Sequence, residues 1–273
     1  MSKILIEPTK CDKCGTCILE CPAAAISTDG NGFPEISEAK KTACIRCGHC
    51  EAVCPKEALT LQFRTGEKSS SAMLDGKIPP EKLTAFLKPR RSIRRFKKSP
   101  VPEETLKNIM EGVRYSPTGG NRQGVKWLII HSPGQVKLLT GLCLDWMKEL
   151  AKAGPDAALK FPAEEFLAAA ARGRDLFCWN APHLAIAYSH KLNGSGQTDA
   201  VIALSHFELL CKAHGLGTCW AGFFVMALKQ WEPLLKELKL PEDHIPNYAL
   251  LFGYPAVEYK LIPRRKPLTV EYR

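Results

Sequence analysis

Residues Cys11-Asp12-Lys13-Cys14-Gly15-Thr16-Cys17-Ile18-Leu19-Glu20-Cys21-Pro22 return 33 positions later, in their cysteines, glycine and proline, as Cys44-Ile45-Arg46-Cys47-Gly48-His49-Cys50-Glu51-Ala52-Val53-Cys54-Pro55. Both halves read C-x-x-C-x-x-C-x-x-x-C-P, which makes this an internal repeat. Eight of the twelve cysteines of the chain lie in it. The segment ahead of it, residues 1–8, holds no apolar run long enough for an export signal. The expected compartment is therefore the cytoplasm, where dense cysteine usage implies metal ligation or redox chemistry rather than disulfides.

The spacing has a physical reading. Three thiolates separated by two residues wrap one corner of an iron–sulfur cubane, and the fourth, on the following turn, reaches the other cluster, as in the cysteine run of bacterial two-cluster ferredoxins. On that pattern one 4Fe-4S cluster takes Cys11, Cys14, Cys17 and Cys54, and the other takes Cys44, Cys47, Cys50 and Cys21. C-x-x-C pairs also serve zinc. Two four-cysteine runs, each closed by a proline, favour the clusters. Gly15 and Gly48 suit close backbone approach to sulfur, while Arg46 and His49 read as surface positions. A module of about 64 residues has little core of its own, so the clusters should act as one and the apo form should be largely unfolded.

The whole chain has 273 residues, 45% hydrophobic and 24% charged, which excludes a disordered chain. Its longest strongly apolar stretch, residues 215–228, is short of the roughly 18 to 20 residues of a membrane span. No membrane association is expected. Residues 65–80 are rich in serine, glycine and proline and read as a linker between a domain at 1–64 and one at 81–273. In the second domain Leu106, Ile109, Met110 and Val113 recur at helical spacing, and Ser116-Pro117 must end that helix. Residues 125–131, 184–188 and 248–252 read as strands; 198–214 and 234–238 read as helices, the first apolar on most sides and hence buried. Helices and strands alternate in an α+β or α/β domain.

The formal charge of +10 is concentrated at 88–98, with Arg90, Arg91, Arg94 and Arg95, and in a second knot, Arg264-Arg265-Lys266. A nucleic-acid surface would interleave aromatics with these charges, and only Phe96 does so. No nucleic-acid partner is expected. A phosphate pocket assembled from two distant segments explains the charge better.

These residues also resemble a known family. Arg90-Arg91-Ser92-Ile93-Arg94-Arg95-Phe96 looks like the opening motif of the FMN-dependent nitroreductases, and the likeness continues through Ser116-Pro117-Thr118-Gly119-Gly120-Asn121-Arg122-Gln123, Asn180-Ala181-Pro182, Gly215-Leu216-Gly217-Thr218-Cys219-Trp220-Ala221-Gly222, Gly253-Tyr254-Pro255 and the terminal basic knot. With the cysteine repeat, the chain resembles the ferredoxin-fused branch of that family. The resemblance implies an α+β architecture, a small two-cluster ferredoxin-type domain followed by an FMN-binding nitroreductase-like domain. It also implies a homodimer with FMN at its interface. Arg90 and Ser92, with Arg264 and Arg265, would hold the FMN phosphate, since guanidinium forks suit phosphate oxygens, and Arg91 would belong to the same cofactor site. Arg94 would sit near the pyrimidine end of the ring and favour its reduced, negatively charged form. Asn121 would bond the ring's polar edge, and Pro117, Thr118 and Gly119 would pack the flavin from the partner subunit. The backbone of Ala221 and Gly222 would face N5. Many relatives carry glutamate where Ala221 stands, so a side-chain role is absent there. Cys143, Cys178, Cys211 and Cys219 have no ligand spacing and read as buried apolar residues; of these, Cys219 has a landmark position that places it near the flavin.

The function implied is electron transfer from a low-potential donor such as ferredoxin, through the clusters to FMN, and on to a nitroaromatic, quinone or similar conjugated small-molecule acceptor. NAD(P)H is an alternative donor, although no G-x-G-x-x-G follows a strand. An electron-transfer module serving a protein partner or free flavin, and specialised flavin chemistry such as reductive dehalogenation, are the competing classes. Relatives place a variable cap at residues 142–180, where Trp146, Met147, Phe161, Phe166, Phe177 and Trp179 either contact substrate or pack a helical hairpin. Two clusters of about −2 each and a phosphate of about −2 would offset most of the positive charge.

Overall fold

The computed structural model describes residues 4–62, 77–152 and 162–273. The linker up to residue 76 and Phe161 lie outside the described residues. Contacts divide the chain into two compact units, one up to Lys77 together with Gly119–Arg122, the other Ile78–Thr118 and Gln123–Arg273.

The first unit is built on its repeat. Strand β1 (Ile4–Ile6) pairs antiparallel with β4 (Leu59–Leu61), and a short hairpin joins β2 (Ser27–Thr28) to β3 (Pro34–Glu35). Between them lie two one-turn helices, α1 (Thr16–Leu19) and α2 (His49–Ala52). The 33-residue offset reappears in the backbone: left-handed φ values recur at Lys13 and Arg46 (59° and 54°), Gly15 and Gly48 (74° and 78°), and Ala24 and Glu57 (47° and 49°). The core is small, made by Ile4, Ile26, Leu59 and Leu61 around Cys50.

In the second unit, α3 (Pro80–Leu87) and α4 (Glu103–Val113) precede strand β5 (Lys126–Ile130) and the long helix α5 (Pro133–Lys152). Then come α6 (Ala163–Ala171), β6 (His183–His190), α7 (Gly196–Ala213), β7 (Gly217–Trp220), α8 (Gly222–Gln230), α9 (Glu232–Glu237) and β8 (His244–Gly253). The strands form one antiparallel sheet in the order β5-β6-β8-β7. Side chains alternate across it with period two. Leu184, Ile186, Ala249 and Leu251 face the layer of α5, α6, α8 and α9. Ala185, Ala187, Leu250 and Phe252 face α4 and α7. Both faces are thus covered, and α7 is buried by Leu204, Phe207 and Cys211, as its near-continuous apolar sequence requires. The apolar stretch 215–228 divides into β7 and α8, which turn at Ala221. No helix among the described residues is long and apolar enough to cross a membrane.

Candidate cofactor sites

In the first unit one cavity is lined by Cys11, Cys14, Cys17 and Cys54, and a second by Cys21, Cys44, Cys47 and Cys50. Each set draws its fourth thiol from the other repeat. Among the described residues no three His, Cys, Asp or Glu side chains converge tightly enough to grip a single ion. The two sets of cysteines line separate cavities, in the crossed grouping that two cubane clusters use. The repeat also positions its sulfur donors, for Ala25 N–H points to Cys21 Sγ and Ala58 N–H to Cys54 Sγ, both at 3.3 Å. Burial pushes the Cys50 thiol up to about 11, with Cys47, Cys44 and Cys21 adding to the effect, and burial raises Cys17 as well. Four thiolates held this close need the metal's positive charge, so loading must release protons. Lys13 and Lys56 line the first cavity and His49 the second, and both His49 and Arg46 are exposed, as expected from sequence.

In the second unit the basic segment runs along the outer edge of β7. Ser92 bridges to Thr218, the Ile93 N–H donates to Thr218 O at 2.8 Å, and the Ala256 N–H donates to Arg95 O at 2.9 Å. Gly217 permits this approach, since a Cβ there would stand 2.4 Å from Ile93 Cγ1. Arg90 Nη1 donates to Glu208 Oε1 at 3.1 Å. The buried Glu208 carboxylate also accepts from Thr218 Oγ1 (3.0 Å) and Trp220 Nε1 (3.2 Å). Arg91 Nη1 donates to Arg90 O at 2.6 Å, yet its Nε and Nη2 are buried with no partner among the described residues. Buried guanidinium donors without an acceptor are costly, and a bound anion resolves that cost. The residues here therefore fit a phosphate-bearing group.

Arg94 lies over the Trp179 ring at 5.5 Å. Burial raises the Cys219 thiol, opposed by the nearby charge of Arg94 and by a hydrogen bond with Ser92. Cys219 thus stands beside two of the expected flavin residues. The Ala221 N–H is spent on Ala249 O at 3.0 Å. Of the Ala221–Gly222 pair only the Gly222 N–H, at the opening of α8, has no backbone acceptor among the described residues, as expected of the first helical turn. Thr118 Oγ1 accepts from the Gln123 N–H at 2.9 Å, which closes the turn after Pro117. Gly119 and Asn121 belong to a 3-10 turn grouped with the first unit, and the Asn121 amide donates there to Ile45 O (3.2 Å) and Arg46 O (2.9 Å). Arg264 and Arg265 are exposed in the extended C-terminal stretch and have no hydrogen bond or ion pair to Arg90. The chain so far gathers Arg90, Arg91, Ser92, Arg94 and Cys219, and leaves the terminal knot apart.

Sequence reasoning missed Glu208 and Asp175. Glu208 carried a usable signal, an acid in the middle of a helix otherwise apolar on most sides, which demands a buried partner. Asp175 organises the turn before β6. Its Oδ1 accepts from the Phe177 and Cys178 N–H groups at 2.9 and 2.8 Å, and its Oδ2 from the Asn180 N–H at 3.0 Å and Thr140 Oγ1 at 3.4 Å.

Residues 87–254 match the model of the nitroreductase family, and residues 10–59 match a 4Fe-4S dicluster domain. The chain belongs to the nitroreductase family. It is an oxidoreductase of that family, joined to a dicluster domain. A protein of Methanothermobacter thermautotrophicus provisionally named NADH dehydrogenase/NAD(P)H nitroreductase is 21% identical over 67% of this chain and 82% of its own. A nitroreductase of Bacteroides fragilis with bound FMN aligns at 20% identity and a TM-score of 0.54, over 69% of this chain and 98% of that one. Iodotyrosine deiodinase, bound to FMN and 3-iodo-L-tyrosine, aligns at 22% identity and a TM-score of 0.54, over 70% and 98%. These likenesses establish the nitroreductase fold of the second unit.

Proposed function

We propose that this nitroreductase-family protein is an iron–sulfur flavoprotein that takes electrons from a low-potential donor such as ferredoxin, passes them through two 4Fe-4S clusters to FMN, and delivers them to a nitroaromatic, quinone or similar conjugated acceptor. The observation that carries the reading is the Arg91 guanidinium beside Arg90 and Ser92 on the edge of β7, whose buried Nε and Nη2 have no partner among the described residues, a seat for a phosphate. Bound FMN supplies two-electron chemistry there. The chain's own part is to hold and orient it. Arg90, Arg91 and Ser92 grip the phosphate, joined by Arg264 and Arg265 once the C-terminal stretch settles. Arg94 presents positive charge to the pyrimidine end, and the Gly222 N–H serves N5. Asn121 bonds the polar edge of the ring, and Pro117, Thr118 and Gly119 pack the flavin from the partner in a cytoplasmic homodimer. Eight cysteines hold the clusters in the two crossed sets.

The test is anaerobic. The full chain is purified, its iron, sulfide and FMN are measured, and reduced ferredoxin or NAD(P)H is added while flavin and cluster absorbance are followed; nitroaromatics and quinones are then offered. The expected result is cluster and flavin bleaching by ferredoxin and reoxidation by the acceptors. Full-rate flavin reduction by NAD(P)H in a Cys44→Ser/Cys50→Ser variant would remove the clusters from the route. Reoxidation by no small acceptor would assign the protein to electron relay.

A further inference from the structure

The second unit contains a cleft of 530 Å³, a size suited to a small organic ligand, lined by Arg94, Arg95, Arg174, Trp179, Asn180 and Tyr259. Among the described residues none of the three arginines is in an ion pair. Among the described residues the one acid on the lining is Asp175, whose oxygens both accept hydrogen bonds from the backbone amides of its own turn and from Thr140, so it does not compete for them. The cleft is therefore positively charged and can accept an anion without displacing an internal partner.

The aromatic wall is fixed at a cost. Trp179 and Asn180 are consecutive left-handed residues with φ of 53° and 50°, a conformation that opposes any L side chain and a bulky one most of all. It persists because Asp175 grips the amides on either side of Trp179. Backbone strain held in this way is typical of ligand clamps. The turn sets the indole beside the Arg94 guanidinium, and it is the same arginine that the flavin reading assigns to the ring.

We propose that this cleft binds a planar conjugated molecule carrying a carboxylate or sulfonate, its ring against Trp179 and Tyr259 and its anionic group held by Arg95 and Arg174. An aromatic surface supplies sequence-independent stacking, and a guanidinium fork matches a carboxylate in plane. The inference names the substrate class of the proposed reductase; it rests on that reading for the fate of the ligand and not for its binding.

The experiment is titration calorimetry on the anaerobically purified holoprotein, with 2-naphthoate and its neutral counterpart 2-naphthamide as probes. Naphthoate should bind at least roughly tenfold more tightly than the amide, and the exposed-site variants Arg174→Gln and Arg95→Gln should each lose about tenfold for naphthoate alone. Naphthamide affinity and FMN content should stay unchanged. Equal affinities for the two probes would overturn the proposal. So would loss of FMN in step with naphthoate, which would make the cleft the cofactor's seat, or displacement of naphthoate by NADP+ at comparable concentration, which would give it to a donor nucleotide. Binding with this preference in a protein that reduces no acceptor would leave the inference standing and remove the reductase reading. Reduction of neutral acceptors without the preference would do the reverse.

Discussion

Arg90 and Glu208, 118 positions apart in sequence, meet at 3.1 Å, the Arg90 Nη1 donating to the Glu208 carboxylate. The carboxylate is buried, held by Thr218 and Trp220 from β7, and so fixes an arginine that reaches toward the expected phosphate seat. Glu208→Ala leaves a partly buried guanidinium and two buried donors without an acceptor. It should destabilise the fold by about 3 kcal/mol in urea denaturation and reduce FMN retention, whereas Glu208→Gln, which keeps one acceptor oxygen, should lose less than half as much.

Gly217 is the residue that lets the basic segment lie against β7. A methyl there would meet Ile93 at 2.4 Å, and Ile93 is itself buried. Gly217→Ala should cost roughly 1 to 3 kcal/mol by overpacking. Because the clash displaces the segment that carries Arg90 to Arg94, FMN content should fall while iron content stays at the native level. Equal loss of both cofactors would show a general unfolding instead.

Cys54 lines the cavity of Cys11, Cys14 and Cys17 although it follows Cys50 in sequence. Cys54→Ser should therefore remove about half the iron, and the remaining cluster should keep the ligands Cys21, Cys44, Cys47 and Cys50. Iron analysis together with electron paramagnetic resonance of the reduced protein reads this directly, since the coupling between two reduced clusters disappears when one is lost.

His183 is fully buried against His131, the rings stacked at 4.3 Å. Its Nε2 accepts from the Val101 N–H at 3.0 Å, so Nδ1 carries the proton and donates to His131 O at 2.8 Å. Burial, reinforced by His131, lowers its pKa to about 4. The unfolded chain takes the proton near 6.5, so the neutral histidine contributes its full stability above that pH and loses it as pH falls toward about 4. The loss reaches about 3 kcal/mol. Urea midpoints measured across that range should fall in the native protein and fall less in His183→Gln, whose amide can still donate and accept.

Much of the second unit was legible in the sequence because its signals are periodic. The apolar positions of α4 and the β-branched and apolar strands β5, β6 and β8 announce their own geometry. Helix α5 was expected only in its second half, through the helical-hairpin reading of residues 142–180; its first half was not, although Ser132-Pro133 is a start signal and Val136, Leu139, Cys143, Trp146 and Met147 form its buried face. Strand β7 and helix α8 were concealed inside one apolar run, where periodicity cannot separate a buried strand from a buried helix.

By itself the sequence determined the cysteine repeat, the crossed ligand sets that its spacing implies, and the motifs of the nitroreductase fold. These are local, because a ligand run or a turn motif is written in consecutive residues. Only the tertiary structure decided which charges have partners. Arg91 is left with two buried donors that have no partner among the described residues, Arg90 is tied to Glu208, and Asp175 is consumed by its own turn. Those outcomes depend on burial and on contacts across more than a hundred residues, and composition carries no record of either.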